Sequence, residues 1–375
     1  MEGIFKVTSQ TKAAILQQHE TNTLLNAAAP SLTRQSAHDL SVDEANAPLD
    51  ERIIATVGQA LDDGQTHYVP VPGIDPLREA LAEYLNGAAG TSLAKDNVLV
   101  TAGVQESRFL TIQLMDYQHL GIPAVVHPGA KRALGVRDKA HSTMAVDPSS
   151  QLPTLDAIKA AAEGDCDMLY LESPSRLTGA AYKADELTAI ADIATSNNCG
   201  VIWDQGLMPW AQGAPSLLSV EGAAEYTAVI GEAFPGTGLA SWFISYIAAP
   251  TGWIPPMQKQ KQVMAICTST PSQYGALEAA SLFADMHAAR MEKLSDVRGQ
   301  IMTLAAQAGL AALDGETISV VAFQMPTESK DATLATLAEA GYTVADGADF
   351  GAANVMRLAV TLDGAAVDAI KVLAG

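Results

Sequence analysis

Four side chains and one helix start in this 375-residue chain stand where their types and surroundings could do chemistry. Asp204 ends the apolar run Val201-Ile-Trp-Asp204, which reads as a buried strand of a parallel sheet. The carboxyl end of such a strand is where an α/β sheet places its ligand chemistry. Asp204 therefore either pairs with a cationic ligand group or caps a neighbouring loop. Asn97-Val-Leu-Val-Thr-Ala-Gly103 reads as another strand, with a helix from Val104 to Met115 directly behind it. The backbone N–H groups of Gly103, Val104 and Gln105 then offer an anion seat at the positive end of a helix, or only an ordinary turn. Arg357 lies inside the apolar strand Val355 to Val360, so its guanidinium needs a partner. That partner is either an internal acid or a ligand carboxylate held by both prongs. Tyr68 sits in the Pro/Gly-rich loop Thr66 to Gly73. Arg176 sits in the loop Ser173 to Gly179, either solvated or supplying positive charge to a pocket. His127 and His141 have no partner motif and read as structural.

The elements that must position these residues alternate. Between about residues 50 and 250, short apolar runs (Asn97–Gly103, Ala124–Pro128, Asp167–Glu172, Val201–Asp204, Thr227–Gly231, Ile244–Ala248) are interleaved with helical spacing (Leu49–Asp62, Asp75–Leu85, Asp185–Ser196). Asp75 is expected to cap its helix and Pro76 to suit the first turn. This alternation means a parallel sheet covered by helices. Thr11 to Ala29 also has helical spacing. Gln258 to Gly299 reads as a long helical region interrupted near Thr268 to Ser272. The shorter strands Ser319–Gln324 and Val355–Val360, with helices Thr333–Ala340 and Ala365–Leu373, suit a small α+β unit.

Composition narrows the partners. The formal net charge is −20, which argues against nucleic acid or an anionic membrane surface. The three cysteines, Cys166, Cys199 and Cys267, are far apart and form neither a disulfide framework nor a zinc site. No metal is expected. The amino terminus shows no signal peptide and no apolar run reaches about 18 residues, so a cytoplasmic location is expected.

Taken in order, these landmarks resemble class I/II aminotransferases of the pyridoxal-phosphate (PLP) fold type I, from about Leu40 to the C-terminus. Leu40-Ser-Val-Asp-Glu-Ala resembles the family's Leu-x-x-Gly-Glu-Pro. Tyr68, Gly73, Leu77 and Arg78 resemble its Tyr…Gly…Leu-Arg. Thr101-Ala-Gly-Val-Gln-Glu-Ser107 resembles the turn that receives the cofactor phosphate, and Leu177-Thr-Gly179 the end of Asn-Pro-Thr-Gly. Val201-Ile-Trp-Asp204 resembles the strand whose acid holds the pyridine nitrogen. Ser272-Gln-Tyr-Gly-Ala resembles a Gln-containing helix start. Val355-Met-Arg-Leu358 resembles the strand whose arginine grips the substrate carboxylate.

The resemblance implies a large domain, 47–287, with a mostly parallel sheet of the seven-stranded type. It implies a small domain built from 1–46 and 288–375. It also implies a homodimer in which Tyr68 reaches the partner's cofactor phosphate, and amino-acid or 2-oxo-acid ligands. Gly103, Val104, Gln105, Asp204 and Tyr68 become the expected cofactor contacts. Arg357, Asp43 and Arg176 become the expected substrate contacts.

The lysine that forms the internal aldimine in this family falls on Pro235, and no Lys or Arg occurs from Ala184 to Gln258. The phosphate-binding arginine falls on Phe243, the ring-stacking aromatic on Ala130 and the tyrosine beyond the acid on Leu207. Asp43 stands where the family has a glycine, and Arg176 where it has an asparagine. PLP is thus implied by resemblance while covalent PLP is expected to be absent, with Lys131 and Lys183 the first lysines to examine otherwise. Two expectations follow. One is a descendant that binds a small carboxylate or amino-acid-like ligand without ordinary transamination. The other is an active PLP-dependent aminotransferase of amino acids and 2-oxo acids.

Overall fold

The computed structural model describes residues 38–374 apart from 43–47, 138 and 327. The expected helix Thr11 to Ala29 and the expected ligand residue Asp43 lie outside the described residues. In chain order the strands are β1 (His38–Asp39), β2 (Val98–Thr101), β3 (Leu120–Pro123), β4 (His141–Met144), β5 (Met168–Glu172), β6 (Gly200–Asp204), β7 (Thr227–Glu232), β8 (Ser245–Ala248), β9 (Ala311–Ala312), β10 (Val320–Gln324), β11 (Tyr342–Thr343), β12 (Ala345–Asp346) and β13 (Val355–Ala359).

Seven strands form one sheet in the order β2-β8-β7-β6-β5-β3-β4. Strand β8 runs antiparallel to both β2 and β7, while β3 to β7 pair in parallel. The expected seven-stranded, mostly parallel sheet is present, and β8 is the strand that departs from parallel. A parallel return needs a crossover, usually a helix. The link from Glu232 to Ser245 holds only a three-residue 3₁₀ turn and two glycines with φ of +86° and +88°, Gly236 and Gly238. The chain therefore doubles back. A correction concerns Ala124 to Pro128. The strand is Leu120–Pro123, and Ala124 to His127 form the turn behind it, with His127 capping the helix Pro128–Gly135. Asp75 is likewise the first residue of its helix rather than its cap, which is Ile74. Asp75 instead pairs with Arg78 and Lys95.

Alternation along each strand feeds two apolar layers. On β6, Val201 and Trp203 join the layer containing Leu81, Leu171 and Val229, while Ile202 joins the layer containing Leu110, Tyr170 and Ile247. A separate four-stranded sheet, order β12-β13-β10-β9, carries its own core of Val320, Phe323, Met356 and Leu358. The helix Thr270–Gln307 contributes to the first large-sheet layer through Ala276 and Ala279 and to the small-sheet core through Leu294 and Ile301.

Candidate functional site

Parallel β5 and β6 end side by side, which sets Glu172 in register with Asp204. Two arginines close on Asp204. Arg108 comes from the helix Val104–Leu114, on the inward face shared with Val104, Ser107 and Thr111. Its Nη2 and Nε donate to Oδ2 of Asp204 at 2.8 and 3.1 Å. Arg176 is carried back over the strand ends by the loop after β5, and its Nη2 and Nε donate to Oδ1 at 2.9 and 3.3 Å. The hydroxyl of Tyr170 adds a donor at 3.0 Å and the amide of Gly206 another at 3.1 Å. All of these side chains are buried. Gly206 is required by this arrangement: a Cβ there would lie 1.7 Å from Arg176 Nη2.

Burial opposes the charge on Asp204, yet the two guanidinium groups and their hydrogen bonds hold its carboxyl far below the usual range. Glu172 has weaker help. Burial and the Asp204 charge push its carboxyl up to about 7, against the pull of Arg108 and the backbone N–H of His127. His127 is driven well below its ordinary value, first by burial, then by Arg108 and Arg176, with Arg357 adding to them. It is a neutral ring whose Nδ1 accepts from the Gly129 amide at 3.0 Å. The structural role expected of His127 matches this geometry. That of His141 matches its Nδ1 contact with the Lys139 carbonyl at 3.0 Å.

The expected anion seat is built differently from an open cradle. Gly103, Val104 and Gln105 line a cavity of about 240 Å³ together with Glu232, Pro235 and Phe243. Phe243 adopts a left-handed backbone (φ +53°), is 62% exposed, and stands close enough that a Cβ on Gly103 would meet its ring at 3.1 Å. Gln105 turns away and donates to the Gly129 carbonyl at 2.9 Å. The Ala102 amide donates to the carboxylate of Glu106, which also pairs with the fully buried Lys261 at 2.7 Å. An internal carboxylate therefore already sits at this helix start.

The remaining expected residues are placed as follows. Arg357 is fully buried and its Nη1 donates to the carbonyls of Ser41 at 2.8 Å and Val42 at 3.4 Å, just before Asp43. Tyr68 is 81% exposed and does not reach the cavity of its own chain. Arg176 joins Asp204 and, at 3.9 Å, Glu232 on the cavity wall. Lys131 donates to the Phe350 carbonyl at 2.7 Å and Lys183 caps the helix Ala184–Ser196. Among the described residues no cluster of His, Cys, Asp and Glu could hold a metal. Sequence reasoning missed Arg108, Glu172, Tyr170 and the Glu106–Lys261 pair. Glu172 ends an apolar strand as Asp204 does, and that parallel was available as a signal.

This α/β architecture is that of PLP fold type I aminotransferases. An aspartate aminotransferase from Thermus thermophilus, solved with maleate, superposes with a TM-score of 0.81 at 23% identity, covering 100% of this chain and 99% of the other. The N-succinyldiaminopimelate aminotransferase from Mycobacterium tuberculosis gives a TM-score of 0.82 at 22% identity, covering 96% of each chain. The chain belongs to the aminotransferase class I and II family, whose model matches residues 36–370. Among curated relatives, the aspartate/prephenate aminotransferase of Thermus thermophilus is 24% identical over 354 residues, 89% of each chain. The aspartate aminotransferase of Pyrococcus horikoshii is 26% identical over 226 residues, 59% of this chain and 57% of its own length.

Proposed function

We propose that this chain keeps the class I/II aminotransferase fold without running ordinary transamination, and that it binds a small carboxylate or amino-acid-like ligand. The observation that carries the reading is the engagement of Asp204. A carboxylate has roughly four lone-pair positions. Here two guanidinium groups, a phenol and an amide place six donor contacts on it. A protonated ring nitrogen could reach it only by displacing a buried guanidinium.

Other parts of the site support the same reading. Pro235 has no amine with which to hold an aldehyde. Glu106, paired with Lys261, already takes the Ala102 amide beside the expected phosphate seat. On this reading PLP does not fit the site in the family's manner, and no reaction step is assigned through it.

Carboxylate binding is favoured by the local charge. Arg108, Arg176 and Arg357 all bear on the same His127 ring, with Asp204 opposing them, while Glu172 is held partly protonated near neutral pH. Arginine suits a carboxylate because its planar fork meets both oxygens. The carbonyls of Ser41 and Val42 occupy Arg357 in this conformation, so a ligand carboxylate would take their place. The Thermus enzyme solved with maleate, a dicarboxylate, makes dicarboxylates the first ligands to try.

A homodimer is part of the proposal. Tyr68, Phe243, Val263, Met264 and Ile266 are exposed large apolar residues in one protomer. Such a surface is suited to an obligate interface.

Calorimetric titration with maleate and with succinate tests the reading, alongside an amino-transfer assay in added PLP. The expected result is saturable carboxylate binding that Arg357→Met abolishes, with no transfer of an amino group. Turnover well above that of free PLP would overturn it.

A further inference from the structure

The carboxyl ends of β5 and β6 carry the ion cluster. At the other end of β5, Met168 opens onto a second cavity of about 610 Å³, within the range of small-molecule sites. Four intervening residue steps along a strand set this mouth about 13 Å from Glu172. The two cavities share no lining residue.

The lining mixes polar and apolar groups, and its apolar part is soft. Met115, Met168 and Met257 are buried side chains, and Trp253 is half-buried beside them. Thioethers and an indole favour a flat aromatic ring, through sulfur–ring contacts and offset stacking. The charged groups, Asp116 and Arg137, are exposed at the rim. A neighbouring groove of about 480 Å³ shares Asp116, Met168 and Trp253, so the recess continues past the indole.

One buried polar group on this wall has a capacity that the protein does not use. Gln113 is 4% exposed. Its Nε2 donates to the carbonyls of Ala133 at 2.6 Å and Leu134 at 3.0 Å. Those two acceptors fix which way round the amide lies, because the reverse would set oxygen against oxygen. Its Oε1 is shielded from solvent and has no hydrogen-bond partner among the described residues, so a donor reaches it only as the cavity wall shifts. A buried acceptor left in this state is costly, and a ligand donor would remove the cost.

We propose that this cavity is a binding site, separate from the cleft at Asp204, for a planar aromatic compound carrying one N–H or O–H donor. The ring lies among Met115, Met257 and Trp253, and the donor meets Gln113 Oε1. Polar substituents extend to the rim between Asp116 and Arg137. The site asks nothing of the cofactor chemistry and stands whether or not the carboxylate reading holds.

A matched pair of probes tests it on the full chain. Indole and benzothiophene have nearly the same shape, but only indole carries an N–H. A site built to receive a hydrogen bond rejects the analogue lacking it. Calorimetry or ligand-observed NMR should show saturable indole binding, with benzothiophene at least about tenfold weaker. Equal affinities, or no binding of indole at millimolar concentration, would overturn the proposal. Gly252 lines the same cavity and has open space where a Cβ would stand. Gly252→Leu should therefore fill the site and abolish indole binding while leaving the melting temperature unchanged. Unaltered indole binding by a folded Gly252→Leu protein would move the ligand elsewhere and sink the assignment. Succinate should not compete with indole; full competition would place both in one cleft and contradict a separate site.

Discussion

Arg108 meets Asp204 through two nitrogens on one oxygen, at 2.8 and 3.1 Å, deep enough that the acid is fully buried. Arg176 takes the other oxygen in the same way. The strand-end acid of an aminotransferase fold is thus spent inside the protein. Breaking a buried pair from one side leaves an uncompensated charge, which is far more costly than never having built the pair. Asp204→Asn would strand two guanidinium groups. The expected loss is about 3–5 kcal/mol in urea unfolding. A loss under about 1 kcal/mol would mean that the arginines find other partners and that Asp204 remains available.

The pH dependence isolates Glu172. Its folded carboxyl is raised from 4.5 to about 7, first by burial and then by Asp204. Between those values the folded chain holds a proton that the unfolded chain has released. Stability contributed by this group is therefore full below pH 4.5 and falls as pH rises to about 7. His127 acts in the opposite sense. Its folded value is depressed by burial and the arginines, so it contributes stability above 6.5 that is lost as pH falls. Comparing wild type with Glu172→Gln removes the His127 contribution from the difference. Relative to the variant, wild type should lose on the order of 2–3 kcal/mol between pH 4.5 and 7.5. A difference that is flat with pH, or one that grows in favour of wild type, would refute the assignment.

Restoring the lysine alone should not restore the cofactor. Pro235→Lys supplies an amine to the 240 Å³ cavity but leaves Asp204 occupied and the Ala102 amide engaged by Glu106. The expected outcome is no borohydride-fixed adduct at position 235 after incubation with PLP. Formation of one in this single variant would show that only the lysine was missing.

How far the sequence disclosed this site follows from what a pattern can encode. Asp204 was legible because an acid at the end of an apolar strand breaks a local run. Gly103 was legible because a strand stops and a helix starts around it. Arg108 was not, since one cation on a helix reads as a solvated face until it is known which side faces the sheet. The Glu172–Asp204 adjacency needs the order of strands, which is a long-range property. Strand β3 was read as starting at Ala124 rather than Leu120 because Gly121 and Pro123 disguise it, although all four of its residues are buried. The reversal of β8 was hidden because an apolar run carries no direction. Most of the fold was readable because periodicity and turn residues act locally, whereas the ion cluster depends on contacts between residues as far apart as 96 positions.

Assembly is a separate test. The exposed side chains Val263 (88%) and Tyr68 (81%) belong in a buried interface if the chain dimerises. An obligate interface buries more than about 2,000 Å². Sedimentation should report a dimer at micromolar concentration, and Val263→Asp should shift it toward monomer by a factor of ten or more in dissociation constant, about 1.4 kcal/mol. A wild-type monomer would contradict the dimer and remove Tyr68 from the site.

The most direct measurement is the state of PLP on the purified wild-type protein. The chain is incubated with PLP, its visible spectrum recorded, and the mixture reduced with borohydride and mapped by peptide mass. An account in which Arg108 and Arg176 hold Asp204, and Pro235 replaces the amine, predicts no protein-bound band beyond that of free PLP and no stoichiometrically modified lysine. A stoichiometric adduct on one lysine, with Lys131, Lys183 and the buried Lys261 the first positions to check, would contradict it, above all if 2-oxo acid and amino acid interconverted the spectrum.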